Sequence, residues 1–231
     1  MARIGFKKAK YNKISGNTYE ALKENGLAVD NVSLFNSHQD LPLDINLFLS
    51  LGGDGTFLES LTFIRDRQVP VAGINAGRLG FLTTAQIDGD NSWIDKLLSG
   101  NYKIDERCVL SFETEHPNTL PADFYKKALN EITFQRTSPV MLEISVSVDG
   151  KPLPVYYADG ILIGSATGST AYSLSIGGPI VTPDSKVLII APIAPHNLNV
   201  RPIIVPDTSV IEISYATRGD DALLTADNRF Y

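Results

Sequence analysis

One cysteine, Cys108, is all that the 231-residue chain carries. No intrachain disulfide can form, and such sparing use fits a reducing, cytoplasmic compartment. Cys108 itself reads either as a small buried hydrophobe or as a reactive thiol. Apolar runs are short, and none approaches the roughly 20 residues that span a bilayer, so no membrane partner is expected. The opening MARIGFKKAKYNK is basic but lacks the apolar segment of a secretory signal, and it reads as a first strand. Positive charge is scarce as well. A formal net charge of −6 argues against a nucleic-acid partner, which needs clustered Lys and Arg to neutralise phosphates. The three histidines, His38, His116 and His196, lie far apart with no Cys or His at ligand spacing, which argues against a structural metal.

Hydrophobic residues make up 43% and charged residues 20%, the proportions of an ordinary globular protein with one large domain or two modest ones. The period changes near residue 101. Before it, strand and helix alternate. INLFLSLG (Ile45 to Gly52) is almost continuously apolar, as a parallel strand covered on both faces must be. TFLESLTFIRDR (Thr56 to Arg67) follows with helical spacing, VPVAGIN (Val69 to Asn75) reads as the next strand, and SWIDKLLSG (Ser92 to Gly100) reads as a short helix. This is a Rossmann-like α/β domain with a parallel sheet, expected over residues 1–100. After it, VMLEISVSVDG alternates Leu142, Ile144, Val146 and Val148 with Glu143, Ser145 and Ser147 before an Asp149-Gly150 turn. KVLIIAPIAP and TSVIEISYAT add strands, and the scattered prolines discourage long helices. Residues 101–231 are therefore expected to form a β-rich, sandwich-like domain.

Two clusters carry chemistry. In LSLGGDGTFLES a strand, a glycine turn and a helix succeed one another, which gathers backbone N–H groups and a helix N-terminus around one point and suits a phosphate. Neither the G-x-G-x-x-G fingerprint nor the P-loop lysine is present, so hydride transfer and P-loop phosphotransfer lose ground. Asp54 is the odd member, since a carboxylate repels phosphate unless it holds a cation or accepts a proton from an attacking hydroxyl. It could also simply cap the following helix. The second cluster, ADGILIGSATGSTAYSLSIGGPIV (Ala158 to Val181), sets hydroxyls and glycines behind a strand with Asp159 and Tyr172 among them. It reads as a polar ligand surface or as a glycine-rich loop between sandwich strands. No G-x-S-x-G elbow occurs, so a serine hydrolase is not supported.

From about Ile45 to Asp227 the chain resembles the NAD kinase family. The residues that carry the resemblance are GGDGT (52–56), GINAGRLGFL (73–82), NEI (130–132), DG (159–160), TGSTAYSLS (167–175), GGPIV (177–181) and LNVRPIIVP (198–206). GGDGT is shared with lipid kinases and phosphofructokinases, whereas an Asn-Glu pair followed by TGSTAYS is far more specific. The resemblance implies ATP-dependent phosphorylation of the 2′-hydroxyl on the adenosine ribose of NAD+ to give NADP+, with Mg2+ or another divalent cation. It implies two domains around a cleft, and a homodimer or homotetramer. Asp54 is then the proton acceptor, with Gly52, Gly53 and Gly55 near phosphate and Phe81 along the adenine pocket. Asn130 and Glu131 hold the adenosine portion, and Asp159 with Thr170, Ala171, Tyr172 and Ser175 holds the rest. Ala194 approaches the ligand through its backbone. Alternatives are a GGDGT-type lipid kinase and a non-catalytic nucleotide-binding regulator. Three departures stand out: Ala166 where proline is usual, which should loosen the following loop, Asp227-Asn228 where Asp-Gly is frequent, and a weak match over the first 40 residues.

Overall fold

The computed structural model describes residues 4–8, 32–34, 37–75, 80–86, 92–115, 120–217 and 221–230. They divide into two compact units, Met1–Asp105 and Glu106–Tyr231. Among the described residues no helix is long and apolar enough to cross a membrane.

Unit one is a parallel sheet with helices. Its strands are β1 (Ile4–Lys8), β2 (Val32–Leu34), β3 (Leu47–Leu51), β4 (Val71–Asn75) and β5 (Ala85–Gln86), and its helices are α1 (Asp54–Ile64) and α2 (Ser92–Leu98). The order β2-β1-β3-β4-β5, parallel throughout, is the doubly wound arrangement whose strand order reverses between β1 and β3. The apolar run of β3 serves two faces. Leu47, Leu49 and Leu51 pack with Ile74 and with Ile94 of α2, while Phe48 packs with Phe63 of α1. The periodicity of α1 predicts a helix running to Arg67, but it stops at Ile64. Arg65 turns to φ 49 while its N–H still reaches the Leu61 carbonyl, a left-handed residue that closes the helix.

Unit two is built from β6 (Leu110–Ser111), β7 (Lys127–Ala128), β8 (Glu131–Arg136), β9 (Leu142–Val148), β10 (Lys151–Pro152), β11 (Tyr156–Ala158), β12 (Gly160–Ser165), β13 (Val187–Ile193), β14 (Ile203–Pro206), β15 (Ile211–Ala216), β16 (Ala222–Ala226) and β17 (Arg229–Phe230). One antiparallel sheet runs β14-β13-β12-β8-β16-β17, a second sets β10, β11 and β15 around β9, and β6 pairs with β7. As the alternation requires, Leu142, Ile144 and Val146 are buried, and they join Ile161, Ile163, Leu188 and Ile190 of the larger sheet in one core. That is the sandwich. Asp149 and Gly150, at φ 51 and 74, make the turn between β9 and β10. The outer face of β12 and β13 (Leu162, Ile189, Ala191, Ile193) lies under Tyr172, Ile176 and Val181. Tyr172 opens the short helix α3, Tyr172–Ser175, which follows a 3-10 turn, Thr167–Thr170, and Ile176 and Val181 come after that helix. Strand β12 is thus buried on both faces. Ala166 precedes the turn at φ −57 and ψ −39, fully buried. The backbone there already has the φ a proline imposes, so a proline would fit this position without rebuilding the turn.

Candidate active site

Each unit contributes its own group of the expected residues. In unit one the GGDGT turn leaves β3 at its carboxyl end, next to the strand-order reversal where ligands of such sheets bind. Gly52 donates its N–H to the Ile74 carbonyl at 3.0 Å, and the Gly53 carbonyl accepts from Thr56 and Phe57. Asp54 does not cap the helix. The N-cap is Gly53 without any side-chain bond, and Asp54 is the first helical residue. Its Oδ2 accepts the Phe81 N–H at 2.8 Å and its Oδ1 the Leu82 N–H at 3.1 Å. A carboxylate fixed by two backbone donors is oriented strongly, yet each oxygen keeps a second acceptor direction for a ligand. Gly80 makes this approach possible, since a Cβ there would overlap the Asp54 carboxylate. The Phe81 ring stands in the open, 78% exposed.

Gly53 and Gly55 are conspicuous for a different reason. A Cβ on either would meet nothing within 4 Å, and neither has a positive φ. Gly55 sits inside the first turn of α1, where glycine costs about 1 kcal/mol relative to alanine. Nothing within the described chain requires these two glycines.

In unit two, Asn130 and Glu131 lie buried at the start of β8. The TGST turn is fastened onto them. Ser165 donates its N–H to the Asn130 carbonyl at 2.8 Å and its hydroxyl to the Leu129 carbonyl, and the Gly168 N–H donates back to the Ser165 Oγ at 3.1 Å. Gly168 faces the Asn130 carbonyl so closely that a Cβ would land on the oxygen. The Tyr172 N–H donates to the Glu131 carboxyl, while Glu131 Oε2 is buried with no hydrogen-bond partner. Thr170, Ala171 and Tyr172 are half-buried and Ser175 is exposed. Asp159 is already engaged: Arg136 reaches it with Nε to Oδ1 at 2.8 Å and with a second nitrogen to Oδ2 at 3.0 Å. Ala194 is exposed at φ 46, a left-handed backbone that costs an alanine on the order of 1 kcal/mol. It lies between two bonds that anchor the chain, Asp159 N–H to the Ile193 carbonyl and His196 N–H to the Tyr157 carbonyl. Cys108 packs half-buried against the sandwich core, and burial pushes its thiol pKa up, which suits a hydrophobe rather than a nucleophile.

Burial, and secondarily the charge of Asp227, push Glu131 up to about 7, against the pull of the Tyr172 N–H. The folded chain therefore holds this proton more tightly than an unfolded chain, whose glutamate titrates at 4.5. Stability from this group is full below that unfolded value and is lost as pH rises through about 7. Denaturant unfolding of the wild type should show a decline of up to about 3 kcal/mol between roughly pH 5 and pH 8 that Glu131→Gln removes. An equal decline in the variant would assign it to other groups.

Composition and spacing left several contributors unmarked. Asp227 stood out only as a departure from a motif, and Arg136, Ser165, Gly80 and Gly168 drew no notice of their own. All act through partners distant in the chain.

The sequence model of the ATP-NAD kinase N-terminal domain matches residues 3–102, and that of the ATP-NAD kinase C-terminal domain matches residues 129–229. The chain belongs to the ATP-NAD kinase family. The match begins at residue 3, so the family likeness extends through the first 40 residues that looked weak by motif. An NAD kinase of Flavobacterium psychrophilum is 41% identical over 209 residues, 90% of this chain and 71% of that protein. One from Cytophaga hutchinsonii is 45% identical over 185 residues, 80% of this chain and 62% of that protein. Among solved structures, an NAD kinase from Archaeoglobus fulgidus in complex with ATP has a TM-score of 0.80 at 29% identity, covering 100% of this chain and 85% of its own. Yeast NADH kinase complexed with NADH has a TM-score of 0.83 at 24% identity, covering 100% and 74%, and shares the fold. These relatives favour an NAD kinase over a lipid kinase or a non-catalytic regulator.

Proposed function

We propose that this chain transfers the γ-phosphoryl group of ATP to the 2′-hydroxyl of the adenosine ribose of NAD+, giving NADP+ and ADP. The observation that carries the reading is the GGDGT turn: two glycines the chain does not need for itself flank a carboxylate held rigidly by two N–H donors. Room at Gly53 and Gly55 lets phosphate oxygens approach the first N–H groups of α1. Asp54 accepts the ribose hydroxyl proton while the new O–P bond forms and the bond from the γ-phosphorus to the bridging oxygen breaks. A ribose hydroxyl is a weak nucleophile, so positioning carries most of the acceleration and the base adds roughly 10²–10⁴-fold. Asn130 and Glu131 take the adenosine portion of NAD+, with Glu131 Oε2 the free acceptor, and Asp159 and the Thr170–Ser175 run take the remainder. Phe81 offers its exposed ring to an adenine.

Among the described residues no three His, Cys, Asp or Glu side chains stand together as a metal cage. A divalent cation carried on the phosphates of ATP, as Mg2+ prefers, would need no such cage. When bound, the cation neutralises charge on the phosphoryl group. The same reading places the protein in the cytoplasm as a homodimer or homotetramer, to be checked by light scattering. The exposed Leu198 and Ile204, beyond the buried core strand β13, supply an apolar surface for a second copy.

Coupled assay of NADP+ formation from NAD+ and ATP tests the reading, and Gly55→Ala tests its mechanism. Alanine at that helical position should stabilise the free protein by about 0.5–1 kcal/mol while lowering kcat/KM by roughly tenfold or more through obstruction of the phosphates. Gain in stability without loss of activity would remove the phosphate from this turn.

A further inference from the structure

Leu129, Asn130 and Glu131 stand where β8 begins, and their three backbone N–H groups converge on one carboxylate. Asp227, in the turn between β16 and β17, accepts the Leu129 N–H on Oδ2 at 2.9 Å and the Asn130 and Glu131 N–H groups on Oδ1 at 2.8 and 3.3 Å. Its own N–H donates to the Glu131 carbonyl at 2.9 Å. The side chain is 1% exposed. Two residues on, Arg229 donates to the Tyr125 carbonyl at 2.6 Å and to the Lys127 carbonyl, and its guanidinium lies over the rings of Phe124 and Tyr125. The guanidinium also lies 4.0 Å from Asp227 Oδ2. One short turn therefore grips residues 125–131 from both sides, by carbonyls at one end and N–H groups at the other.

A carboxylate is the suitable group here for a physical reason. Buried N–H groups must find acceptors, and one ionised carboxylate can serve three of them with charge-assisted bonds. An amide in its place offers a single oxygen and sets an NH2 donor against the remaining N–H. Asp227 accepts a left-handed backbone, φ 53, to reach this position, a conformation that Asp tolerates better than most residues. The segment so fixed ends in a buried Glu131 whose Oε2 has no partner in the described chain, an acceptor held ready for something outside it.

We propose that Asp227, braced by Arg229, is a positioning residue for nucleotide recognition. It sets the backbone path from which Asn130 and Glu131 present their side chains to the adenosine portion of NAD+. This rests on the reading of Asn130 and Glu131 as NAD+ contacts, and it adds a residue that touches no substrate itself.

The test uses the full chain, with Asp227→Asn and Arg229→Lys compared with wild type. In Asp227→Asn, KM for NAD+ should rise about tenfold or more while KM for ATP stays within about twofold, and the amides of residues 129–131 should exchange hydrogen at least about tenfold faster. Arg229→Lys keeps the charge and loses the fork, so a smaller rise in KM for NAD+ alone is expected; this variant decides the matter if Asp227→Asn does not fold. A folded Asp227→Asn with wild-type KM for NAD+, or both KM values rising together, overturns the proposal, as does an unchanged KM for NAD+ in Arg229→Lys. A wild-type chain that forms no NADP+ would defeat the functional reading instead. Amide exchange at 129–131 would then still decide whether Asp227 fixes that segment.

Discussion

Replacing Asp54 by asparagine should lower kcat by roughly 10²–10⁴-fold and leave NAD+ binding within a few-fold. The amide cannot accept the hydroxyl proton, and this accounts for most of the loss. The structure adds a second consequence. Oδ1 and Oδ2 serve the N–H groups of Leu82 and Phe81 respectively, and asparagine has only one oxygen to offer. One of those N–H groups then faces an NH2 donor, at a cost of about 1 kcal/mol for a partly solvated site. The variant should therefore show a modest fall in thermal stability beside the large fall in turnover. Near-normal turnover would reduce Asp54 to a bracket between the turn and the loop at 80–82. Stopped-flow or single-turnover kinetics would separate the chemical step from product release in this comparison.

Gly168→Ala should be the most damaging change in unit two. The new Cβ would be driven into the Asn130 carbonyl, with the Asn130 carbonyl carbon and Cα also in its way. Neighbouring side chains often yield to an added methyl group, but these are backbone atoms, and the same carbonyl is the acceptor for Ser165. Relief requires the TGST turn and the start of β8 to separate. Overpacking of this kind costs about 3 kcal/mol or more, and a shift of about 1 Å at a recognition residue costs on the order of 10²-fold in rate or affinity. Denaturant unfolding and NAD+ titration together check this. A Gly168→Ala protein of wild-type stability and affinity would show that the turn and the Asn-Glu pair are not mechanically joined. Gly177 offers a control, since it adopts φ 84 with nothing within 4 Å of its missing Cβ, so alanine there brings backbone strain without a clash.

What was legible in the sequence followed from periods and from local turn chemistry. The apolar run from Ile45 to Gly52 announced a strand covered on both faces, and Phe48 and Leu49 do pack on opposite sides of the sheet. Leu142, Ile144 and Val146 point into the sandwich because a period of two admits no other register. Asp149-Gly150 turns the chain as that dipeptide does. The candidate site residues were marked by their motifs, though the partners that hold them in the fold were not. Asp54 reads locally as a helix cap, and its true donors lie 27 and 28 residues away. The end of α1 at Ile64 depends on one φ at Arg65 that no apolar spacing encodes. Asp159 carries no local sign of Arg136, 23 residues earlier, because a cross-strand ion pair is written in sheet register rather than in sequence.

The bonds from Asp227 to residues 129–131 span 96 to 98 positions of chain. During synthesis from the N-terminus, Asn130 and Glu131 emerge from the ribosome long before the carboxylate that fixes them. At about 5–20 residues per second, several seconds separate the two events. Throughout that interval the GGDGT turn and its parallel sheet can already be in place, since the residues of unit one precede residue 106. A nascent chain thus has what it needs to fold around Asp54 well before the Asn-Glu segment is held in its final path. Closure of so distant a contact is entropically slow, which makes docking of the β16–β17 hairpin a natural late step in maturation.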